Sequence, residues 1–260
     1  MKKIFLSLLI LVSISLNAIA NINNLQYGIS LFGGSNSSQL TGGSDMAHAG
    51  FYKHNFGTAS INFHGRYFVD DKWSLQTGIG FTSIGFDFGF AKNYSLVKDD
   101  HFIKSTASIN VTQIPLLLIY NFKPDCKKKS WIVGAGFNFM FSDKAVNTVL
   151  YPEQSKNESL YIPQLTNFSQ TVTAGKFSTT NLQLMVGREK KFNKGNRLSL
   201  NFVWNISLAG DIAQSKVNYT FDGTDYEHIF SNQGHYAGLS IAYLFSTKST
   251  RAKAAMLKSL

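Results

Sequence analysis

His64 and Arg66 stand two residues apart in the run Ser60-Ile-Asn-Phe-His-Gly-Arg-Tyr67, whose odd and even positions differ in kind. An imidazole that can take a proton, beside a guanidinium that can hold an anion, is a start toward acid–base or nucleophilic chemistry. A barrel that cuts or moves acyl chains would add a serine and a carboxylate at its rim. The one acid on an expected strand is Asp87, toward the opposite end of the fold from Arg66. No hydrolytic constellation forms, and no enzyme is expected. His48, His54, His101, His228 and His235 fall in or beside expected loops with Asp99, Asp100, Asp222 and Asp225. Such oxygens could hold a cation, but no spacing matches a calcium loop or a zinc site. The pairs Gly33-Gly34 and Gly42-Gly43 cradle no phosphate, because no glycine fingerprint leads from a strand into a helix. Neither metal nor other cofactor is expected. Cys126 is the one cysteine, so no intrachain disulfide can form.

The elements that carry these residues are strands. Eight short stretches are apolar or aromatic at every second position. The clearest runs from Trp131 to Phe141, with Trp, Val, Ala, Phe, Phe, Phe on its odd positions and Ile, Gly, Gly, Asn, Met on its even ones. Successive side chains of a strand point to opposite faces. One face is therefore greasy, and the other is small and mostly polar. Glycine, serine and asparagine cannot build a dry core at native packing density. The apolar face must be buried against something other than the chain's own interior, and for a barrel that is lipid.

The ends and the charge agree. Met1-Lys2-Lys3, an apolar run from Ile4 to Leu16 and the small-x-small Ala18-Ile19-Ala20 read as a secretory signal peptide over 1–20. That run of 13 residues falls short of the ~20 that span a bilayer. The formal charge is +10, or +8 without Lys2 and Lys3. A basic chain outside the cytoplasm meets lipid headgroups rather than nucleic acid.

The strands are expected at 25–33, 59–69, 73–88, 105–122, 131–142, 177–188, 197–209 and 234–245. Apolar parity slips near Ser83 and again near Gln113, just before Pro115, and each slip reads as a bulge. The connections alternate between long (34–58, 89–104, 143–176, 210–233) and short (70–72, 123–130, 189–196). In an up-and-down barrel all long connections fall at one end, as extracellular loops do opposite periplasmic turns. The expected fold is all-β, an eight-stranded antiparallel up-and-down transmembrane barrel. A ten-stranded version would use Ala145–Tyr151 and Ser169–Thr173. A soluble barrel of the same strand count would turn the apolar residues inward and be overfilled with Phe, Trp and Tyr. Tyr67, Phe68, Trp73, Tyr120, Phe122, Trp131, Tyr243 and Phe245 sit at the periplasmic strand ends as an interfacial girdle.

Eight strands enclose a space that side chains can fill. Asn62, His64, Arg66, Gln76, Asn110, Asn138, Gln183, Asn201 and Asn205 are expected to form a lumenal polar plug. The short turns are basic, and Lys127, Lys128, Lys129, Lys190 and Lys191 are expected to contact lipid headgroups. Arg188 and Arg197 border the last turn.

Val111-Thr-Gln-Ile-Pro-Leu-Leu-Leu-Ile-Tyr120 resembles the fourth strand of the PorT-like outer-membrane β-barrel family of Bacteroidetes-type bacteria. Trp73–Phe81 is similar to its third strand, Val133–Phe137 to its fifth and Gly238–Phe245 to its closing strand. The resemblance spans roughly residues 25–245 and implies an eight-stranded barrel, usually without an assigned ligand; some members serve protein secretion and gliding. The expected organisation is a signal peptide over 1–20, a barrel domain over 21–245 and a basic periplasmic tail over 246–260. The expected role is a non-enzymatic outer-membrane barrel presenting four extracellular loops for binding, structure or a secretion assembly. A narrow solute channel and a lipid-modifying enzyme are the alternatives. Expected partners are outer-membrane lipid, the barrel-insertion machinery during assembly and a secretion or envelope protein.

Overall fold

A computed structural model describes residues 24–43, 51–91, 102–122, 129–142, 147–150, 165–193, 195–208 and 210–246. Fourteen strands are present among them: β1 Leu25–Asn36, β2 Gln39–Gly43, β3 Phe51–His54, β4 Phe56–Phe68, β5 Trp73–Ala91, β6 Phe102–Phe122, β7 Lys129–Ser142, β8 Asn147–Leu150, β9 Leu165–Ala174, β10 Ser178–Lys191, β11 Arg197–Ser207, β12 Ala213–Phe221, β13 Thr224–Asn232 and β14 Tyr236–Phe245. Eight of them close a ring in the order β1-β4-β5-β6-β7-β10-β11-β14, each antiparallel to its neighbours. Closure runs from Tyr27↔Phe245 to Asn36↔Tyr236. β3 continues the path of β4 along β5. The expected signal peptide and Lys127 and Lys128 lie outside the described residues, as does the tail beyond Ser246.

The wall of the barrel follows the alternation. Trp73, Leu75, Ile79 and Phe81 of β5 point out, as do Leu198, Leu200, Phe202 and Trp204 of β11 and Leu239, Ile241 and Phe245 of β14, all exposed. On β6 the outward apolar run is Ile114, Leu116, Leu118, Tyr120 and Phe122. Nine residues at ~3.3 Å each, tilted by ~40°, rise about 23 Å, which matches the ~25 Å apolar band of an outer-membrane barrel. The short turn after β4 is closed by Asp70, whose carboxylate accepts from the amides of Lys72 (2.7 Å) and Trp73 (2.6 Å).

The two expected bulges are absent. β5 and β6 keep one register from Trp73↔Tyr120 to Ala91↔Phe102. The rungs lapse only opposite Pro115, which has no N–H to give, and resume without a shift. What changes is the solvent, not the pleat. Above Phe81 and Ile114 the inward residues become apolar: Ile84, Phe86 and Phe88 on β5, Ala107, Ile109 and Val111 on β6. The outward ones become polar: Ser83 on β5, Thr106, Ser108, Asn110 and Thr112 on β6. Asn110 is thus exposed on the outer wall and is not part of a lumenal plug.

These inward apolar residues meet a second sheet, ordered β2-β13-β12-β9-β8. It is built from stretches expected to be loops. Phe168 and Val172 of β9, Ile212, Val217 and Tyr219 in and beside β12, and Phe230 of β13 complete a dry core with the barrel's upper end. The Phe88 and Phe230 rings lie 4.5 Å apart. Ser105 donates to Gln170, and Asn232 Nδ2 donates to the Gly85 carbonyl (3.3 Å). The β12–β13 hairpin turns on Asp222 (φ +49°) and Gly223 (φ +76°), the left-handed pair that a two-residue type I′ turn requires. β8 and β9 pair antiparallel and join the cap rather than widening the barrel to ten strands.

Truncating Phe88 to alanine removes the ring at the centre of this junction. The expected cost is about 3–5 kcal/mol of cap docking. Limited proteolysis should then cut within the cap, while the barrel keeps its heat-modifiable migration on a gel. Wild-type protease resistance in the variant would contradict the packing described.

Candidate functional site

The lumen is the first place where the chain gathers polar chemistry. Arg66 of β4 donates its Nε to Ser74 Oγ (2.8 Å) and its Nη1 to Glu189 Oε2 (2.5 Å). Arg197 Nη1 donates to Glu189 Oε1 (2.5 Å). The Arg66 and Glu189 side chains are 3% and 1% exposed. Both guanidinium groups lie on the Phe68 ring, at 4.8 Å and 4.3 Å from its centroid. Three strands separate β4 from β10 in either direction around the ring. The ion pair therefore crosses the full diameter of the barrel. Phe68, expected in the girdle, shares the inward parity of Arg66 and serves this junction instead.

Glu189 was outside the expected strand, which ended at residue 188. The inward series Asn181, Gln183, Met185, Gly187 simply continues one step further. The carboxylate missing from the sequence reading is thus lumenal, yet it is committed to two arginines and does not face His64 as a catalytic acid.

Higher in the lumen a second bridge crosses. Gln113 Nε2 donates to Asn62 Oδ1 (2.6 Å), and Gln113 Oε1 accepts from Asn138 Nδ2 (3.0 Å) and from the Tyr236 hydroxyl (2.9 Å). It links β4, β6, β7 and β14. Asn181 Nδ2 donates to the Gly234 carbonyl (2.9 Å) above it. Between the bridges lies a chamber of about 50 Å³ lined by His64, Gln76, Gln183, Met185 and Asn201 among others. The His64 ring occupies room left by Gly28, where a Cβ would fall 2.8 Å from Nε2 and 2.5 Å from the Tyr243 carbonyl oxygen. Both His64 ring nitrogens, Gln183 Oε1 and Asn201 Oδ1 have no protein partner. Buried polar atoms of this kind are met by water, and a chamber this size has room for about three molecules at ~10–15 Å³ each. Asn205 is also fully buried on β11, facing inward.

The expected site residues therefore separate. Asn62 and Asn138 belong to the upper bridge, Arg66 to the lower, and His64, Gln76 and Asn201 to the chamber between. Gln113, Tyr236, Ser74 and Glu189 hold the bridges together and were not singled out from the sequence. Their signal was parity alone. Lys129 and Lys190 are exposed on the outer pleat, directly opposite one another. Lys191 has the other parity. It stands opposite Arg197 at the mouth of the lumen and does not face the bilayer.

Of the loop residues weighed as cation ligands, His228 and Asp225 take structural places, and His48, Asp99, Asp100 and His101 lie outside the described residues. His228 is buried in the cap, its Nε2 2.8 Å from the Tyr219 hydroxyl. Burial pushes the Tyr219 phenol above its ordinary range, so it keeps its proton. Asp225 accepts from Thr220 Oγ1 (2.7 Å) across the hairpin. Among the described residues no three His, Cys, Asp or Glu side chains gather as a metal site.

Replacing Glu189 with glutamine leaves two buried guanidinium groups without their shared carboxylate. The expected loss is about 3–5 kcal/mol, read as a lower urea midpoint for refolding in detergent micelles. Removing both charges in Arg66→Met/Glu189→Met should recover part of it. An unchanged midpoint for Glu189→Gln would contradict the burial described.

The geometry so far is a closed barrel with an apolar exterior, a braced polar lumen and an ordered cap. The chain is similar to the solved structure of the outer membrane protein OprG from Pseudomonas aeruginosa, at 12% identity and a TM-score of 0.43 over 86% of this chain and 95% of that one. It is also similar to the N-terminal β-barrel domain of Pseudomonas aeruginosa OprF, at 13% identity and a TM-score of 0.36 over 86% and 98%. AlkL in lipid bilayers matches at 14% identity and a TM-score of 0.37 over 87% and 92%. No curated protein matches the sequence. The sequence model of the outer membrane protein beta-barrel domain matches residues 20–159. The chain therefore belongs to the outer membrane protein beta-barrel domain family, and its place is the outer membrane.

Proposed function

We propose that this protein is a non-enzymatic outer-membrane anchor whose working surface is the extracellular cap, with the lumen serving as internal bracing. The observation that carries the reading is the pair of bridges across the lumen beneath a dry core. Arg66–Glu189 joins opposite walls, Asn62–Gln113–Asn138–Tyr236 joins four strands, and Phe86, Phe88 and Phe230 fill the space above. A solute would have to break each layer in turn to pass. The cap, in contrast, is a five-stranded sheet held outside the membrane with its polar side outward, through Thr171, Thr173, Gln214 and Lys216. That polar face is the surface a partner would meet. The resemblance of the Ile114-Pro115-Leu116-Leu117 strand to PorT-like barrels favours a protein of a secretion or envelope assembly as that partner.

Planar-bilayer recording separates this reading from a channel. The purified barrel is expected to give no unitary conductance steps, and regular steps from the wild type would overturn it. Lipid A mass spectra from cells with and without the gene should be identical; a modified species that disappears with the gene would mark an enzyme. A pull-down from native outer membranes should lose its captured protein when β12 and β13 are replaced by a short turn, with the barrel still folded.

A further inference from the structure

The pleat brings three cations to one patch of the outer wall. Lys129 of β7 and Lys190 of β10 are direct cross-strand partners, and Arg188 stands two residues along, opposite Trp131. All four side chains are exposed, on the face that carries Val186 and Phe202 into the membrane band. The Arg188 guanidinium lies 5.1 Å from the Trp131 ring, and Lys190 Nζ lies 5.2 Å from the Phe192 ring. On the other side of β10 the partners of Arg188 and Lys190 are Leu200 and Leu198. Among the described residues, no carboxylate lies on this face of β7, β10 or β11. Glu189 sits between the two β10 cations but points into the lumen, to Arg66 and Arg197.

Like charges directly opposite destabilise a strand pair. Here the pair is joined by a third cation and meets no counter-charge among the described residues of this face, which leaves the neutralising group to come from outside. The depth of the patch says what that group is. It lies at the periplasmic margin of the hydrocarbon band, where Trp131 marks the interface, as tryptophan does in membrane proteins. What sits at that depth, against an outward face, is the headgroup of an inner-leaflet lipid. We propose that Lys129, Arg188 and Lys190 form a binding site for the phosphodiester of an anionic phospholipid, whose acyl chains run up along Trp131 and Leu200. Arg188 matches two phosphate oxygens with its planar fork, and the two lysines act as point charges beside it. The site rests on the membrane orientation of the barrel and is independent of what the cap binds.

The experiment uses the full chain in phosphatidylethanolamine vesicles containing a minor fraction of phosphatidylglycerol, with retained lipid counted by native mass spectrometry. Wild type should retain phosphatidylglycerol well above its bulk fraction, and the enrichment should fall as salt is raised. Arg188→Gln/Lys190→Gln should lower the preference roughly tenfold or more. Lys216→Gln in the cap should leave it unchanged. Heat-modifiable migration checks that each variant is folded. If the double variant does not fold, Lys190→Gln alone and the salt dependence of the wild type carry the test. An unaltered preference in a folded variant, or a wild-type preference indifferent to salt, overturns the proposal. Displacement of the lipid by millimolar inorganic phosphate overturns it as well, since the patch would then be a free-anion site.

Discussion

Backbone polar groups inside hydrocarbon must all be paired, and everything else in this protein follows from that demand. The pairing of Tyr27 with Phe245 through Asn36 with Tyr236 closes the sheet on itself and leaves no edge in the membrane. Eight strands close on a tube just wide enough for side chains. The interior is therefore settled by what the inward residues can reach across it. Arg66 and Glu189 reach from opposite walls, and Phe68 lies beneath the guanidinium groups. The lumen becomes a set of struts because the ring that seals the backbone is too small to be anything else.

Closure also explains the cap. One of the barrel hairpins, β5–β6, outgrows the membrane, and once outside it the outward face meets water. The same strands then need the opposite assignment of apolar and polar residues. β5 makes the exchange between Phe81, half-exposed to lipid, and Ile84, fully buried. β6 makes it between Val111 and Ile114. The apolar residues now facing inward cannot all pack against each other across the ring, so a second sheet folded from three of the long connections covers them. Phe230, Val217 and Val172 belong to that sheet and are buried in the core it shares with the barrel.

Much of this was legible in residue types. Alternation placed all eight barrel strands, and the long and short connections gave the two ends of the barrel. The errors share one cause. A parity rule assumes one solvent on each side of a strand, and this chain crosses from lipid to water along the same strand. Ile84, Phe86, Ile109 and Val111 therefore looked like bulges, when the pleat runs through them without a slip. The hairpin at Asp222-Gly223 carried its own signal, a type I′ dipeptide between Val217, Tyr219 and Phe221, but its residues were weighed as cation ligands. The lumenal site was half legible. Asn62, His64, Arg66 and Asn138 follow from parity, whereas Glu189 sat one step beyond an expected strand end. That Arg66 and Glu189 meet depends on ring order and diameter, which no local pattern encodes.

The polar lumen has a second consequence, for folding rather than for transport. If both faces of these strands were apolar, each strand could enter the membrane with either face outward, and a one-residue slip in pairing would cost little. With His64 and Arg66 on one face of β4 and Ile61 and Phe63 on the other, a slip would turn the polar set toward lipid; for a guanidinium that costs about 2–4 kcal/mol at the bilayer midplane and less toward the interface, where Arg66 lies. It would also leave Glu189 buried without its partners. A buried ion pair adds little to stability compared with a well-packed apolar replacement. Its value here lies in the alternatives it excludes: β4 and β10 are separated by more than a hundred residues and by three strands on either side, and the pair fixes which face of each looks inward.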